Sequence, residues 1–278
     1  MSKELMNVAS EQALSTLESF LPKDPGVPRI ELPRFGMVSQ DKTKEVGSGK
    51  NKKIELVAAE GTFYIERKSK EPQIDETGKE FYPFETTYLS EENPEGIIVC
   101  ERKQLRYYDA SDNTFTSSPI YDSDDEIVPL FKNREKVATG VPAELKKNYL
   151  FTDDNGKVRS RLEDVRILYV LMGDELFQMN LRGTSLYSWR SYRRRVSPPT
   201  VVTRFGAEHN EKGQTKWSKL TFDIVRTVTQ EEAEKVIAIV GEIQQIISAQ
   251  KEAFRSGKEP EPEVVQGVVV DSVPGGSF

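Results

Sequence analysis

Between Lys53 and Val228, apolar residues recur at every second position in one short run after another. A long run at helical spacing begins only at Thr229. Period two places alternate side chains on opposite faces of an extended strand, whereas period 3.6 draws one stripe along a helix. The chain is therefore expected to be mainly β with a C-terminal α-helix. Lys53–Ala58 alternates, and Thr62–Arg67 is β-branched and aromatic. Gly96–Glu101 and Leu105–Tyr108 are short and bounded by turn residues. Asp164–Met172 and Leu176–Leu181, separated by Gly173-Asp174, form a predicted hairpin. Pro198-Pro199 interrupts the chain. Thr200–Phe205 and Trp217–Val228 then form a second strand pair around the polar loop His209–Gly213, with Leu220, Phe222, Ile224 and Val228 sharing a face.

Thr229-Gln230-Glu231-Glu232 has the spacing of a capping box. The predicted helix runs to about Phe254, with Val236, Val240, Ile243, Ile247 and Phe254 on one stripe. Many short strands without intervening helices favour a small barrel or sandwich over alternating β and α units. An OB-like barrel with insertions is the expected architecture. Residues 1–50 are expected to be a flexible N-terminal extension, because Pro22, Pro25, Pro28 and Pro33 crowd it after a short candidate helix, Glu11–Phe20. The sheet-rich core with its helix spans 51–256. A disordered acidic tail covers 257–278.

Composition closes off several chemistries. The single cysteine, Cys100, excludes an internal disulfide framework and a cysteine-based zinc site. It sits in the run Ile97-Ile98-Val99, which suits a small buried hydrophobe. The single histidine, His209, argues against histidine metal sites. No P-loop is present, since Gly47-Ser-Gly-Lys-Asn lacks the GxxxxGK[ST] spacing, and GxSxG, HExxH and a helix-opening GxGxxG are absent too. The expectation is a non-enzyme with no catalytic residues, no metal and no cofactor. The acidic run Asp122-Ser-Asp-Asp-Glu126 is the weakest alternative, as a Mg²⁺ site of a nuclease. No apolar segment is long enough to span a bilayer, and Met1-Ser2-Lys3-Glu4 does not open a secretory signal, which points to the cytoplasm.

Net charge is −6, but it is unevenly spread. From Leu181 to Lys219 there are nine basic residues against two acidic ones, a local +7 that leaves −13 for the rest. Within this stretch, Arg182, Arg190, Arg193, Arg194 and Arg195 alternate with Tyr187, Trp189 and Tyr192, followed by Arg204, Lys216 and Trp217. Guanidinium groups grip phosphates and aromatic faces accept unstacked bases, so the mixture suits a single strand better than a duplex groove. A second reading stands beside the first. Leu186, Trp189 and Tyr192 lie at i, i+3 and i+6, one face of a helix starting near Thr184, so the aromatics are core and the arginines a solvated face. Tyr187 is the aromatic least tied to that apolar face. A second basic-aromatic patch holds Arg102, Lys103, Arg106, Tyr107 and Tyr108. It reads either as the exposed binding face of a barrel or as an ordinary solvated strand.

The order of these features resembles bacteriophage single-stranded DNA-binding proteins of the OB-fold type. The shared features are a sheet-rich core with basic and aromatic residues, a C-terminal helix, and an acidic tail from Glu259-Pro-Glu-Pro-Glu263 through Asp271 to a terminal Phe278. The resemblance implies binding of single-stranded DNA with low sequence specificity in DNA replication or recombination, in the host cytoplasm. It also implies that Phe278 and the tail contact replication or recombination proteins. A homo-oligomer is a further expected partner state. The alternative is a phage or bacterial structural or assembly protein that oligomerises through its C-terminal helix.

Overall fold

A computed structural model describes residues 32–46, 52–74, 78, 80–90, 93–133, 135–153, 156–213 and 215–255. The candidate helix Glu11–Phe20, most of the N-terminal extension, and the tail with Phe278 lie outside the described residues. In chain order the strands are β1 (Arg34–Met37), β2 (Lys42–Val46), β3 (Lys53–Ala58), β4 (Phe63–Lys68), β5 (Gln73–Ile74), β6 (Glu80–Phe81), β7 (Phe84–Tyr88) and β8 (Glu95–Asp109). They continue with β9 (Thr114–Ser117), β10 (Val128–Lys132), β11 (Glu135–Gly140), β12 (Leu150–Thr152), β13 (Val158–Ser160), β14 (Glu163–Met172), β15 (Glu175–Leu181), β16 (Val201–Lys212) and β17 (Thr215–Thr227). The helices are α1 (Pro142–Lys147), α2 (Ser185–Arg193) and α3 (Gln230–Arg255). The chain is mainly β with a C-terminal helix, as its periodicity requires. The sheets are not closed: among the described residues the strand paths end in unpaired edges.

The chain divides into two compact units. In the first, the described residues within 32–101 and 168–246, the strands run in the order β15-β1-β4-β7, with β1 parallel to β15 at Arg34↔Gln178 and antiparallel to β4. The β16–β17 hairpin joins the start of β8 through Thr203↔Gly96. One core fills the unit: Phe35, Phe63, Ile98, Leu168, Val170, Phe177, Met179, Leu181, Trp189, Tyr192, Phe205 and Phe222 are all buried. Ring contacts tie the elements together, with centroid distances of 5.2 Å for Phe35–Phe205, 5.9 Å for Phe205–Phe222 and 5.3 Å for Trp189–Phe222.

Residues 34–37 and 42–46, expected within a flexible extension, are strands instead. Phe35 is only 2% exposed, and Gly36 explains how its strand packs: a Cβ there would stand 2.6 Å from the Tyr64 ring, which lies across the glycine. The proline cluster ends at Pro33, immediately before β1, so it marks a boundary.

The second unit comprises residues 102–167 and 247–255. Its strands follow the meander β8-β9-β10-β11, and Asn113 (φ +54°) and Asn133 (φ +51°) occupy the left-handed turn positions that asparagine tolerates. Leu105, Tyr121, Val128, Leu130, Leu145 and Leu162 form its core. Gly96–Glu101 and Leu105–Tyr108 prove to be one strand, β8, which continues through the polar Arg102-Lys103-Gln104.

Other differences have local causes. The expected loop His209–Gly213 is mostly ladder, since pairing continues to Lys212↔Thr215. The alternation of β17 stops at a bulge between Val202 and Thr203 pairings, which skips Val225. Leu220 and Phe222 are buried while Ile224 is 49% exposed. The capping box forms as expected: the Glu232 N–H donates to Thr229 Oγ1 (3.2 Å) and the Thr229 N–H donates to Glu232 Oε2 (2.8 Å). The helical stripe is buried at Val236, Ile239, Ile243 and Ile247, and Val240 is half-buried.

Candidate nucleic-acid interface

Helix α2 begins just after Gly183, whose positive φ (+57°) turns the chain out of β15. Its Leu186, Trp189 and Tyr192 are 9%, 1% and 0% exposed. Trp189 packs on Phe222, and the Tyr192 hydroxyl shares a 2.6 Å hydrogen bond with the buried Thr203 hydroxyl. Burial pushes the Tyr192 phenol above its ordinary value, against the opposing effect of that hydrogen bond. Ser185 Oγ accepts from the Leu220 N–H, which anchors the start of the helix to β17. Trp189 and Tyr192 are therefore core, and the second of the two sequence readings describes them.

The opposite face is formed by Tyr187, Arg190, Ser191 and Arg194. At 3.6 residues per turn, Tyr187, Arg190 and Arg194 fall within about 60° of one another, about 100–160° around the helix from Trp189. Tyr187 is 72% exposed, and all three side chains face solvent.

The other cations of this stretch divide into two groups. The Arg193 guanidinium donates to the Glu101 carboxylate, and Arg204 donates through Nε (3.0 Å) and Nη2 (2.7 Å) to one oxygen of Glu95. Lys219 pairs with Glu208 at 2.7 Å and Lys216 with Glu211 at 3.9 Å. Arg195 lies over the Tyr192 ring, 5.9 Å from its centroid. Among the described residues, Arg182, Arg190, Arg194 and Arg195 have no carboxylate partner, and Arg182 is exposed. Trp217 is half-buried on β17.

The patch on β8 is compensated from within its own unit. Arg102 pairs with Asp122 at 2.9 Å and Lys103 with Asp124 at 2.7 Å, and their side chains are 13% and 19% exposed. The hydrogen bond and charge of Lys103 hold the Asp124 carboxyl below its usual range. Lys251 bridges Asp122 (2.8 Å) and Glu126 (2.9 Å). Arg106 Nε donates to Gln104 Oε1 (2.7 Å), and Tyr107 packs edge-on to Tyr149 (5.9 Å) while its hydroxyl accepts from Arg161 (3.3 Å). The acidic run 122–126 thus serves as counter-charge to three cations. No signal in the sequence announces these pairings, because the partners lie about twenty to well over a hundred residues apart in the chain.

His209 Nδ1 lies 2.9 Å from Glu60 Oε1 and 2.8 Å from Ser218 Oγ. Serine and carboxylate meet the same ring nitrogen. A nucleophilic relay needs them on opposite nitrogens, so this trio holds the hairpin and Glu60 together without activating the serine. Cys100 is half-buried, less enclosed than its apolar neighbours suggest. An open cleft is lined by Ile65, Leu89, Ser90, Pro94, Met172 and Phe177, and the one carboxylate in its lining, Glu95, is held by Arg204. Among the described residues no group of His, Cys, Asp or Glu is placed to hold a metal ion, and no helix is long and apolar enough to cross a membrane. Comparison of the chain with protein-family models, curated proteins and solved structures finds no match to any of them.

Proposed function

We propose that the protein binds single-stranded DNA without catalysis and with low sequence specificity, and that the outward face of α2 is the contact surface. The observation that carries this is the exposed Tyr187 ring in line with Arg190 and Arg194, two guanidinium groups without a carboxylate partner among the described residues. Elsewhere in the same stretch, Arg193, Arg204 and Lys219 are each satisfied by an acid. A large aromatic left in water beside unpaired cations is suited to a ligand that offers both π-faces and phosphates. The buried side of the helix is held by Trp189, Tyr192 and Leu186, so the face is presented on a rigid support. Stacking is tolerant of sequence because every base has a π-face, and phosphate contacts are sequence-blind. An OB-like barrel is not required, since the face lies on a helix.

The overall charge of −6 then limits promiscuous adhesion and confines attraction to the cationic stretch. A role in replication or recombination belongs to the same proposal. The competing reading, assembly through the C-terminal helix, rests on the outward residues of that helix such as Ile237, 71% exposed, because Val236, Ile239, Ile243 and Ile247 are buried. Fluorescence anisotropy with labelled oligo-dT at two salt concentrations tests the proposal. Binding that weakens steeply with salt supports it, and no binding at low salt refutes it.

A further inference from the structure

Strands β2 and β3 form a ribbon of their own. They pair with each other from Lys42↔Ala58 to Val46↔Lys53 and with no other strand among the described residues. Every residue of Lys42–Val46 and Lys53–Val57 is exposed, including Ile54 at 75% and Leu56 at 58%. A two-stranded ribbon is marginal in water, and independent stability takes a third strand or a packed face. An open edge carrying uncovered apolar side chains is a template for strand addition.

We infer that the outer edge of β3 pairs antiparallel with β3 of a second copy, about a twofold axis at Ile54. The strand is self-complementary in that register. Lys53 falls opposite the partner's Glu55, Glu55 falls opposite the partner's Lys53, and Ile54 meets its own equivalent. A twofold interface demands this reciprocity, in which residue i contacts j and j contacts i. Oppositely charged pairs directly across a ladder stabilise it. The result is a four-stranded sheet, β2-β3-β3-β2. It gathers two copies each of Ile54 and Leu56 on one face, because residues two apart share a face. The ion pair within each ribbon that shares Glu55, Lys44–Glu55 at 3.9 Å, lies between exposed groups and competes weakly with the new pairs. A strand-edge contact is far smaller than a standard interface of about 1,600 Å². The association is therefore weak and concentration-dependent, suited to neighbouring copies that a ligand or local concentration brings together.

The test uses the full chain without nucleic acid. Sedimentation velocity over a concentration series should show a reversible monomer–dimer equilibrium. Ile54→Lys should abolish it while circular dichroism stays unchanged. Lys53→Glu, which faces like charges across the axis, should lower the association constant several-fold, and Lys53→Glu with Glu55→Lys should restore it. In a Cys100→Ser background, Ile54→Cys should form a disulfide-linked dimer on mild oxidation, since directly opposed Cβ atoms lie about 4.5–5.5 Å apart. Val57→Cys should not, because the two copies would stand about 20 Å apart along the strands. A chain that stays monomeric throughout overturns the inference. So does a dimer that survives Ile54→Lys, a charge reversal without effect, or equal cross-linking at both cysteine positions.

Discussion

Replacing Arg190 and Arg194 together by alanine should weaken single-strand binding in a way that depends on salt. Each phosphate neutralised on a single strand contributes about 0.7 to the slope of log K against log salt. Two contacts therefore account for about 1.4 of the slope. At about 0.1 M salt that corresponds to roughly a 25-fold loss of affinity, shrinking toward nothing as salt approaches about 1 M. Both side chains are exposed and have no carboxylate partner among the described residues, so the unfolding free energy should change only within the range of ordinary surface substitutions, about ±0.5 kcal/mol for each. Arg204→Ala is the control: its guanidinium is held by Glu95, and its loss should change the slope by clearly less. Anisotropy titrations with oligo-dT across a salt series read both quantities. A double variant with the wild-type slope would refute the assignment of these arginines, whatever its affinity.

Other outcomes follow from the same geometry. Tyr187→Ala should cost about 1–3 kcal/mol of binding, the value of one stacked base, with an unchanged salt slope, as equilibrium titration would show. Tyr192→Phe leaves the Thr203 hydroxyl buried without its 2.6 Å partner and should cost about 1–3 kcal/mol of stability in denaturant unfolding. Thr229→Ala should cost about 1 kcal/mol by the same assay through the lost cap. Glu232 is held from an ordinary 4.5 down to about 2, first by the Arg226 hydrogen bond and then by the Thr229 N–H. A lowered carboxyl pKa stabilises the fold above the unfolded value and loses that effect as pH falls. The stability gap between wild type and Glu232→Gln should therefore be full above about pH 4.5 and close toward pH 2 in acid-titrated melts. A gap that does not change with pH would contradict this.

Local patterns were legible in the sequence where neighbours along the chain decide the structure. The capping box at Thr229, the Gly173-Asp174 hairpin, and the helical spacing of Leu186, Trp189 and Tyr192 all depend on residues within a few positions of one another. The harder features depend on distant partners. Strand β1 follows a proline cluster and carries Gly36, both of which discourage a strand until Tyr64 is seen lying over the glycine. Ile224 obeys the period of its strand but sits at a bulge that only the pairing with Val202 and Thr203 reveals. Site residues divide along the same line. Arg102 and Lys103 look like an open cationic face until Asp122, Asp124 and Lys251 are placed around them. Arg190 and Arg194 are exposed, as the helical spacing predicts, because the side of α2 that bears them is set by the apolar stripe alone.

Photocrosslinking tests the central claim most directly. Full-length protein is irradiated with an oligo-dT carrying 5-bromodeoxyuridine and then digested with trypsin, which cuts after Arg182 and Arg190. The crosslinked base should be found on the peptide from Gly183 to Arg190, attached at Tyr187, and Tyr187→Phe should retain it while Tyr187→Ala loses it. Crosslinks confined to Tyr107, Trp217 or other positions off α2 would contradict the claim.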